Sequence, residues 1–123
     1  MADTQKTILL VDDSVSMREM VSFTLIGAGF KVTQCADGVE ALDFAKENTV
    51  DLVITDINMP NMDGLTLISE LRNLDTYKYI PILTLTTESS SEKKQLGKIA
   101  GATGWIVKPF DPDHLIGTIN KVL

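Results

Sequence analysis

Short β-branched runs alternate with stretches of helical spacing along almost the whole chain. The runs at 7–11 (Thr-Ile-Leu-Leu-Val), 31–35 (Lys-Val-Thr-Gln-Cys), 51–56 (Asp-Leu-Val-Ile-Thr-Asp), 81–86 (Pro-Ile-Leu-Thr-Leu-Thr) and 104–107 (Gly-Trp-Ile-Val) read as five strands. The first and third are apolar almost without a break, which marks strands covered on both faces. Pro81 can open its strand, because the N–H it lacks is not needed there. Between the strands, apolar residues recur at helical spacing: Met17, Met20, Val21 and Leu25; Val39, Leu42 and Ala45; Leu65, Ile68 and Leu71; Leu115, Ile119 and Val122. Each group is expected to supply a stripe that covers the sheet. A further helix over 91–100 rests on a weaker pattern, polar on most sides and offering Leu96, Ile99 and Ala100 to the core.

Local signals agree with these divisions. Ser14 is placed as an N-cap, Gly27 and Gly29 stand where the first helix must stop, and Asp111 followed by Pro112 is a cap with proline at the first helical position. No internal repeat, low-complexity tract or linker interrupts the pattern. Five βα units joined by right-handed crossovers make a doubly wound α/β domain, a parallel sheet with helices on both faces, in which ligands bind beyond the carboxyl ends of the strands. The residues just past strands one, three, four and five are Asp12 and Asp13, Asp56, Thr86 and Lys108. Polar chemistry therefore falls where this fold puts a site.

Composition narrows the function. At 123 residues, 44% of them apolar, the chain is expected to form one domain over 1–123 with a single buried core. Seventeen acids against eleven Lys and Arg give a formal charge of −6, which speaks against sequence-independent binding to nucleic acid or anionic membrane. The surplus is uneven: 15 acids and 6 bases precede residue 93, and 2 acids and 5 lysines follow from it. The lone Cys35 excludes an internal disulfide and a cysteine zinc site, and suits a reduced cytoplasm. Near the N-terminus the apolar run reaches only from Ile8 to Val11 before two aspartates end it, so neither a leader peptide nor a membrane span is expected there.

Carboxylates that converge without a counter-charge destabilise a fold by repulsion, so Asp12, Asp13 and Asp56 call for a cation. Mg²⁺ suits them, since it takes oxygen ligands and keeps waters and phosphate oxygens in its shell. Asp13 and Asp56 are the direct candidates, with Asp12 acting through a water. A carboxylate can also be a nucleophile that forms an aspartyl-phosphate. The charge on a transferred phosphoryl group must then be neutralised, and Mg²⁺, the Lys108 ammonium and the Thr86 hydroxyl around an Asp56 acceptor have that chemistry.

Val11-Asp12-Asp13-Ser14, the run Asp-Ile-Asn-Met-Pro-Asn-Met-Asp-Gly-Leu from Asp56, Leu85-Thr86-Thr87-Glu88 and Lys108-Pro109-Phe110 together resemble the receiver domain of two-component response regulators. The resemblance covers the whole chain and is strongest to the stand-alone receivers of chemotaxis, known examples of the flavodoxin-like strand order 2-1-3-4-5. It implies that Asp56 accepts a phosphoryl group from a sensor histidine kinase of the CheA-like kind. It also implies that Asp12, Asp13, Asp56 and the Asn58 carbonyl hold Mg²⁺, that Thr86 is the switch hydroxyl, that Lys108 binds the phosphate, and that the Lys108–Pro109 bond is cis. An aromatic ring three residues before the lysine, here Trp105, moves inward on activation in this family. Two positions depart from its commonest pattern: Thr87 stands where a smaller residue is usual, and Trp105 where Tyr or Phe is usual. The resemblance also implies that Asn58, Glu88 and Thr87 tune the lifetime of the phosphoryl group.

Single residues admit plainer readings. Asp12 and Asp13 alone would be acids at a helix N-terminus, Lys108 a solvated lysine and Thr86 a strand threonine; their joint placement makes them a site. Trp105 suits core filling as well as switching. Cys35 reads as a buried small apolar residue, His114 as exposed in a first helical turn, and the methionines as core, with Met59 and Met62 the exceptions in the loop after Asp56. Lys93, Lys94, Lys98 and Lys121 around Trp105 read as a basic face for an acidic or amphipathic partner helix.

Ending at its last helix, the chain is expected to be a monomer without an output domain that signals by being bound, at a flagellar motor switch protein in chemotaxis, and to be reset with or without a phosphatase. It is not expected to be a turnover enzyme. A phosphorelay shuttle or a receiver outside chemotaxis would share the pocket. A flavin carrier on the same fold would need a phosphate-cradling loop where Asp12 and Asp13 stand, and an Mg²⁺-dependent aspartyl phosphohydrolase would need a general acid where Asn58 stands.

Overall fold

The computed structural model describes residues 5–123, so the first four residues of the segment weighed as a leader lie outside the described residues. Strands β1 (Thr7–Val11), β2 (Lys31–Cys35), β3 (Leu52–Thr55), β4 (Ile82–Thr86) and β5 (Gly104–Val107) alternate with helices α1 (Val15–Gly27), α2 (Gly38–Glu47), α3 (Gly64–Arg72), α4 (Ser91–Ala100) and α5 (Pro112–Val122). All strand pairs are parallel, in the order β2-β1-β3-β4-β5, which is the flavodoxin-like arrangement. Among the described residues no helix is long and apolar enough to cross a membrane.

Alternation along each strand divides the core into two layers. Ile8, Leu10, Leu52, Ile54, Leu83, Leu85 and Ile106 point to one face, where Val21 and Leu25 of α1 and Leu115 and Ile119 of α5 cover them. Leu9, Val11, Val53 and Ile82 point to the other, beneath Ala41, Leu42 and Ala45 of α2 and Leu67, Ile68 and Leu71 of α3. β1, β3 and β4 are buried on both faces, apart from a half-buried Thr7. Two strands are shorter than their apolar runs. Asp51 stays outside β3, where its carboxylate accepts from the Thr7 N–H at 2.8 Å, and Pro81 precedes β4, giving only its carbonyl to the Val53 N–H.

Caps follow the local chemistry. The side chains of Ser14, Asp37, Asp63 and Ser90 each accept an N–H of the first helical turn. Gly29 takes φ +97° just beyond α1, a conformation open to glycine. Asp111 caps α5 without a side-chain hydrogen bond, and Pro112 opens it.

Several stripe positions fall elsewhere than expected. Met20 is 56% exposed and Val39 is 42% exposed, while Ser22 and Ala41 are buried instead. A helix lying on a sheet covers only a narrow arc, and a small residue at closest approach displaces the larger one beside it. The same correction applies to α4. Leu96 and Ile99 are exposed and border a shallow recess with Leu65, Thr66, Ser69 and Ala100, so only Ala100 of the three expected residues packs on the core. Cys35 is buried and His114 exposed, as expected. Met59 and Met62 are partly buried against the α2 and α3 layer.

Candidate functional site

Parallel pairing brings the carboxyl ends of β1 and β3 level, with Val11 beside both Cys35 and Thr55. Backbone bonds extend the register one step further: Asp12 N–H donates to Cys35 O at 3.1 Å and Asp56 N–H to Val11 O at 2.9 Å. Two carboxylates separated by 44 positions in the chain thus stand side by side, 3% and 9% exposed. The carboxylate oxygens of Asp12, Asp13 and Asp56 lie within 4.8 Å of one another.

Lys108, just past β5, is the counter-charge. Its Nζ donates to Asp12 Oδ2 at 2.7 Å and to Asp56 Oδ2 at 2.8 Å, with its side chain only 9% exposed. Burial alone would lower the pKa of this ammonium, but the hydrogen bonds and charges of the two aspartates outweigh it and hold the group above the ordinary lysine value. The remaining oxygens are also engaged. Asp12 Oδ1 accepts from the Ser14 N–H at 2.9 Å and Asp56 Oδ1 from the Ile57 N–H at 2.6 Å.

Thr86 ends β4, fully buried, and its carbonyl accepts the Lys108 N–H at 2.8 Å. Its Oγ1 accepts the Glu88 N–H at 3.3 Å. Asn58 and Glu88 meet across the pocket mouth, Nδ2 to Oε1 at 3.1 Å, while Thr87 is exposed beside them. The Trp105 indole N–H donates to the Glu88 carbonyl at 2.8 Å. Lys94, Lys98 and Trp105 line a groove of about 330 Å³ between α4 and β5 with Ser91, Gln95 and Thr103. Lys121 is exposed on α5 and Lys93 half-buried on α4; neither lines that groove. The Lys108–Pro109 peptide is cis, as the resemblance implies.

Several residues that shape the site carry no chemical signature in the sequence. A Cβ on Gly64 would collide with the carbonyl of Asp56, so the first turn of α3 can lie against the acceptor's backbone only with glycine there. A Cβ on Gly38 would come within 2.8 Å of the Met62 side chain. Asn61, in the left-handed region at φ 68°, donates to Asp37 Oδ2 at 2.6 Å and ties the loop after β3 to the start of α2. The Asp-Gly pairs 37–38 and 63–64 were the available clue, legible as cap plus close approach.

A buried lysine neutralises two carboxylates beside a third, more exposed one. Three hard oxygen donors so close together fit Mg²⁺. The sequence profile of the response regulator receiver domain matches residues 8–120. The chemotaxis protein CheY-3 of Vibrio cholerae is 40% identical over 116 residues, 94% of this chain and 89% of the relative. The structure of V. cholerae chemotaxis protein CheY4 superposes with a TM-score of 0.93 at 51% identity, covering 98% of this chain and all of that one. The receiver domain of the sensor histidine kinase PA1611 of Pseudomonas aeruginosa, solved with a magnesium ion coordinated in its active-site cleft, superposes at 0.90 with 26% identity, covering 97% and 98%. On the acidic pocket, its lysine and these relationships together, the chain belongs to the receiver domains of CheY-like response regulators, phosphorylation-dependent signalling switches that bind Mg²⁺ at such a pocket.

Proposed function

We propose that this chain is a chemotaxis response regulator in which Asp56 accepts the phosphoryl group of a CheA-like histidine kinase. The observation that carries the reading is the Lys108 ammonium shared between Asp12 and Asp56. Asp12, Asp13, Asp56 and the Asn58 carbonyl would hold Mg²⁺, which when bound supplies positive charge to the phosphoryl oxygens. The Asp56 carboxylate attacks phosphorus as the bond from phosphorus to the kinase's histidine nitrogen breaks opposite it, and the imidazole leaves. Lys108 then stands beside the added oxygens, and the Thr86 hydroxyl turns from the Glu88 N–H to donate to one of them.

That turn removes the bond between Thr86 and Glu88 and frees the segment that carries the acceptor of the Trp105 indole. The face formed by α4, β5 and α5 changes affinity in consequence, through Trp105, Lys94, Lys98 and Lys121. An acidic or amphipathic partner helix suits this surface, and in chemotaxis that partner is a flagellar motor switch protein in the cytoplasm. Asn58, Glu88 and Thr87 at the pocket mouth govern the access of water or of a phosphatase, and so the lifetime of the signal.

Incubation with acetyl phosphate or beryllofluoride and Mg²⁺ is expected to change the emission of Trp105, the sole tryptophan, and Asp56→Asn to abolish the change. A pull-down with beryllofluoride-treated protein should retain the motor component, and the Asp56→Asn protein should not. An emission change that survives Asp56→Asn would overturn the acceptor assignment. Transfer of the phosphoryl group from Asp56 to a second histidine protein, with no motor component retained, would replace chemotaxis with a relay.

A further inference from the structure

Helix α4 meets the sheet through a residue with no side chain. Gly97 is its buried residue, and a Cβ built there would lie 2.5 Å from Cζ3 and 3.0 Å from Cε3 of Trp105. The six-membered ring of the indole therefore rests directly on the α4 backbone. The ring is also tethered through its pyrrole N–H, which donates to the Glu88 carbonyl at 2.8 Å. Glu88 is bonded in turn to Thr86 Oγ1 and to Asn58. Trp105 thus joins α4 to the segment leading away from the switch hydroxyl.

The atoms in conflict belong to the outer ring of the indole, which a single phenyl ring does not supply. Glycine is a poor helix former, so at position 97 it weakens α4 unless the space it leaves is used. Gly117 of α5 shows the contrast, since a Cβ there would meet nothing within 4 Å. The pairing also explains how so polar a helix is seated, given that Leu96 and Ile99 face away from the sheet.

We infer that Gly97 and Trp105 are a matched pair in which the gap at 97 is the seat of the switch ring. A side chain at 97 drives the indole off the helix and into the groove bordered by Lys94 and Lys98. Residue 97 is then a positioning residue that acts on partner recognition through Trp105. This functional half rests on the proposed switching role of that ring.

The test compares wild type, Gly97→Ala, Trp105→Phe, the double variant and Gly117→Ala by thermal melting and tryptophan emission. Gly97→Ala is expected to lower Tm and shift emission to longer wavelength, whereas the same change in the Trp105→Phe background raises Tm, as Gly117→Ala does in wild type. Folding of the double variant where Gly97→Ala alone fails to fold supports the pairing equally. An equal rise in Tm in both backgrounds with unchanged emission overturns it, and so does failure of both to fold. Beryllofluoride and Mg²⁺ should then change wild-type emission more than that of Gly97→Ala. If wild-type emission does not respond although Asp56 takes up the phosphoryl group, the switching role falls and the functional half falls with it, while the melting data still decide the packing.

Discussion

Lys108 holds one ammonium between two carboxylates that are nearly sealed from water, and the balance there is between desolvation and pairing. Pairing wins, so the native state keeps this proton more tightly than the unfolded chain. The stability it contributes is complete below the ordinary lysine value of 10.5 and is lost as pH rises through the higher native value. Cys35 acts at lower pH. Burial raises its thiol from 9.0 to about 11, so the unfolded chain releases a proton across that interval that the native state retains. Urea unfolding from pH 8 to 11.5 should show stability falling first from pH 9, by about 2 to 3 kcal/mol at most, and further above 10, where the unfolded chain releases the protons that buried Tyr77 and then Lys108 keep. Cys35→Ala should remove the first decline and leave the second. Asp13 is exposed and outside the lysine pair. Asp13→Asn should therefore raise metal-free stability by about 0.5 kcal/mol through relief of repulsion, and reduce the rise in Tm that Mg²⁺ gives wild type. An undiminished Mg²⁺ effect would remove Asp13 from the metal set.

The ends of α3 fasten two working parts of the molecule. At its start, Gly64 lets the helix lie on the Asp56 backbone, and Gly64→Ala should cost about 3 kcal/mol or fail to fold, read as a lowered urea midpoint. At its end, the Arg72 guanidinium donates to the carbonyls of Tyr77, Ile80 and Gly101 at 2.7 to 3.0 Å, joining α3 to the approach to β4 and to the turn before β5. Burial lowers the pKa of this group. Arg72→Ala should cost about 2 to 4 kcal/mol with an unchanged dependence on urea, because it strips neutral carbonyls of a charged donor. Nothing in the sequence marks Arg72, or Tyr77, which is fully buried with its hydroxyl donating to Asn48 O at 2.6 Å. Arg72 closes α3 and Tyr77 lies between α3 and β4, beyond the reach of the hydrophobic period. Helix positions were legible from spacing, whereas the inward arc of each helix was not. Met20 and Val39 satisfy the period as well as their neighbours do, and only the sheet decides which of them it touches.

Across the whole molecule the net charge of −6 divides into a pocket and a surface. Asp12, Asp13 and Asp56 are three of the surplus acids, with Lys108 among them, while Lys94 and Lys98 border the groove at Trp105. An acidic partner should be drawn to that groove by long-range attraction. Reversal of both Lys94 and Lys98 to Glu should weaken capture of the activated protein by roughly tenfold, mainly through the association rate, with a reduced dependence on salt. Reversal of Lys121 should have less effect, because it stands apart from the groove. Equal losses at all three would mean a footprint extending over α5.

The strands, the α/β class and the placement of Asp12, Asp13, Asp56, Thr86 and Lys108 at the carboxyl ends of the strands follow from the sequence by itself. Periodicity is a property of neighbours in the chain, and in a parallel sheet every strand delivers its last residue to the same edge. The cap at Ser14 is likewise local. The tertiary structure alone decided that one lysine spans two carboxylates, that Arg72 ties four carbonyls, and that Gly97 packs on Trp105. Those contacts depend on the distance at which separate elements come to rest. Close packing sets that distance through the shapes of all the side chains together, and no single segment carries it.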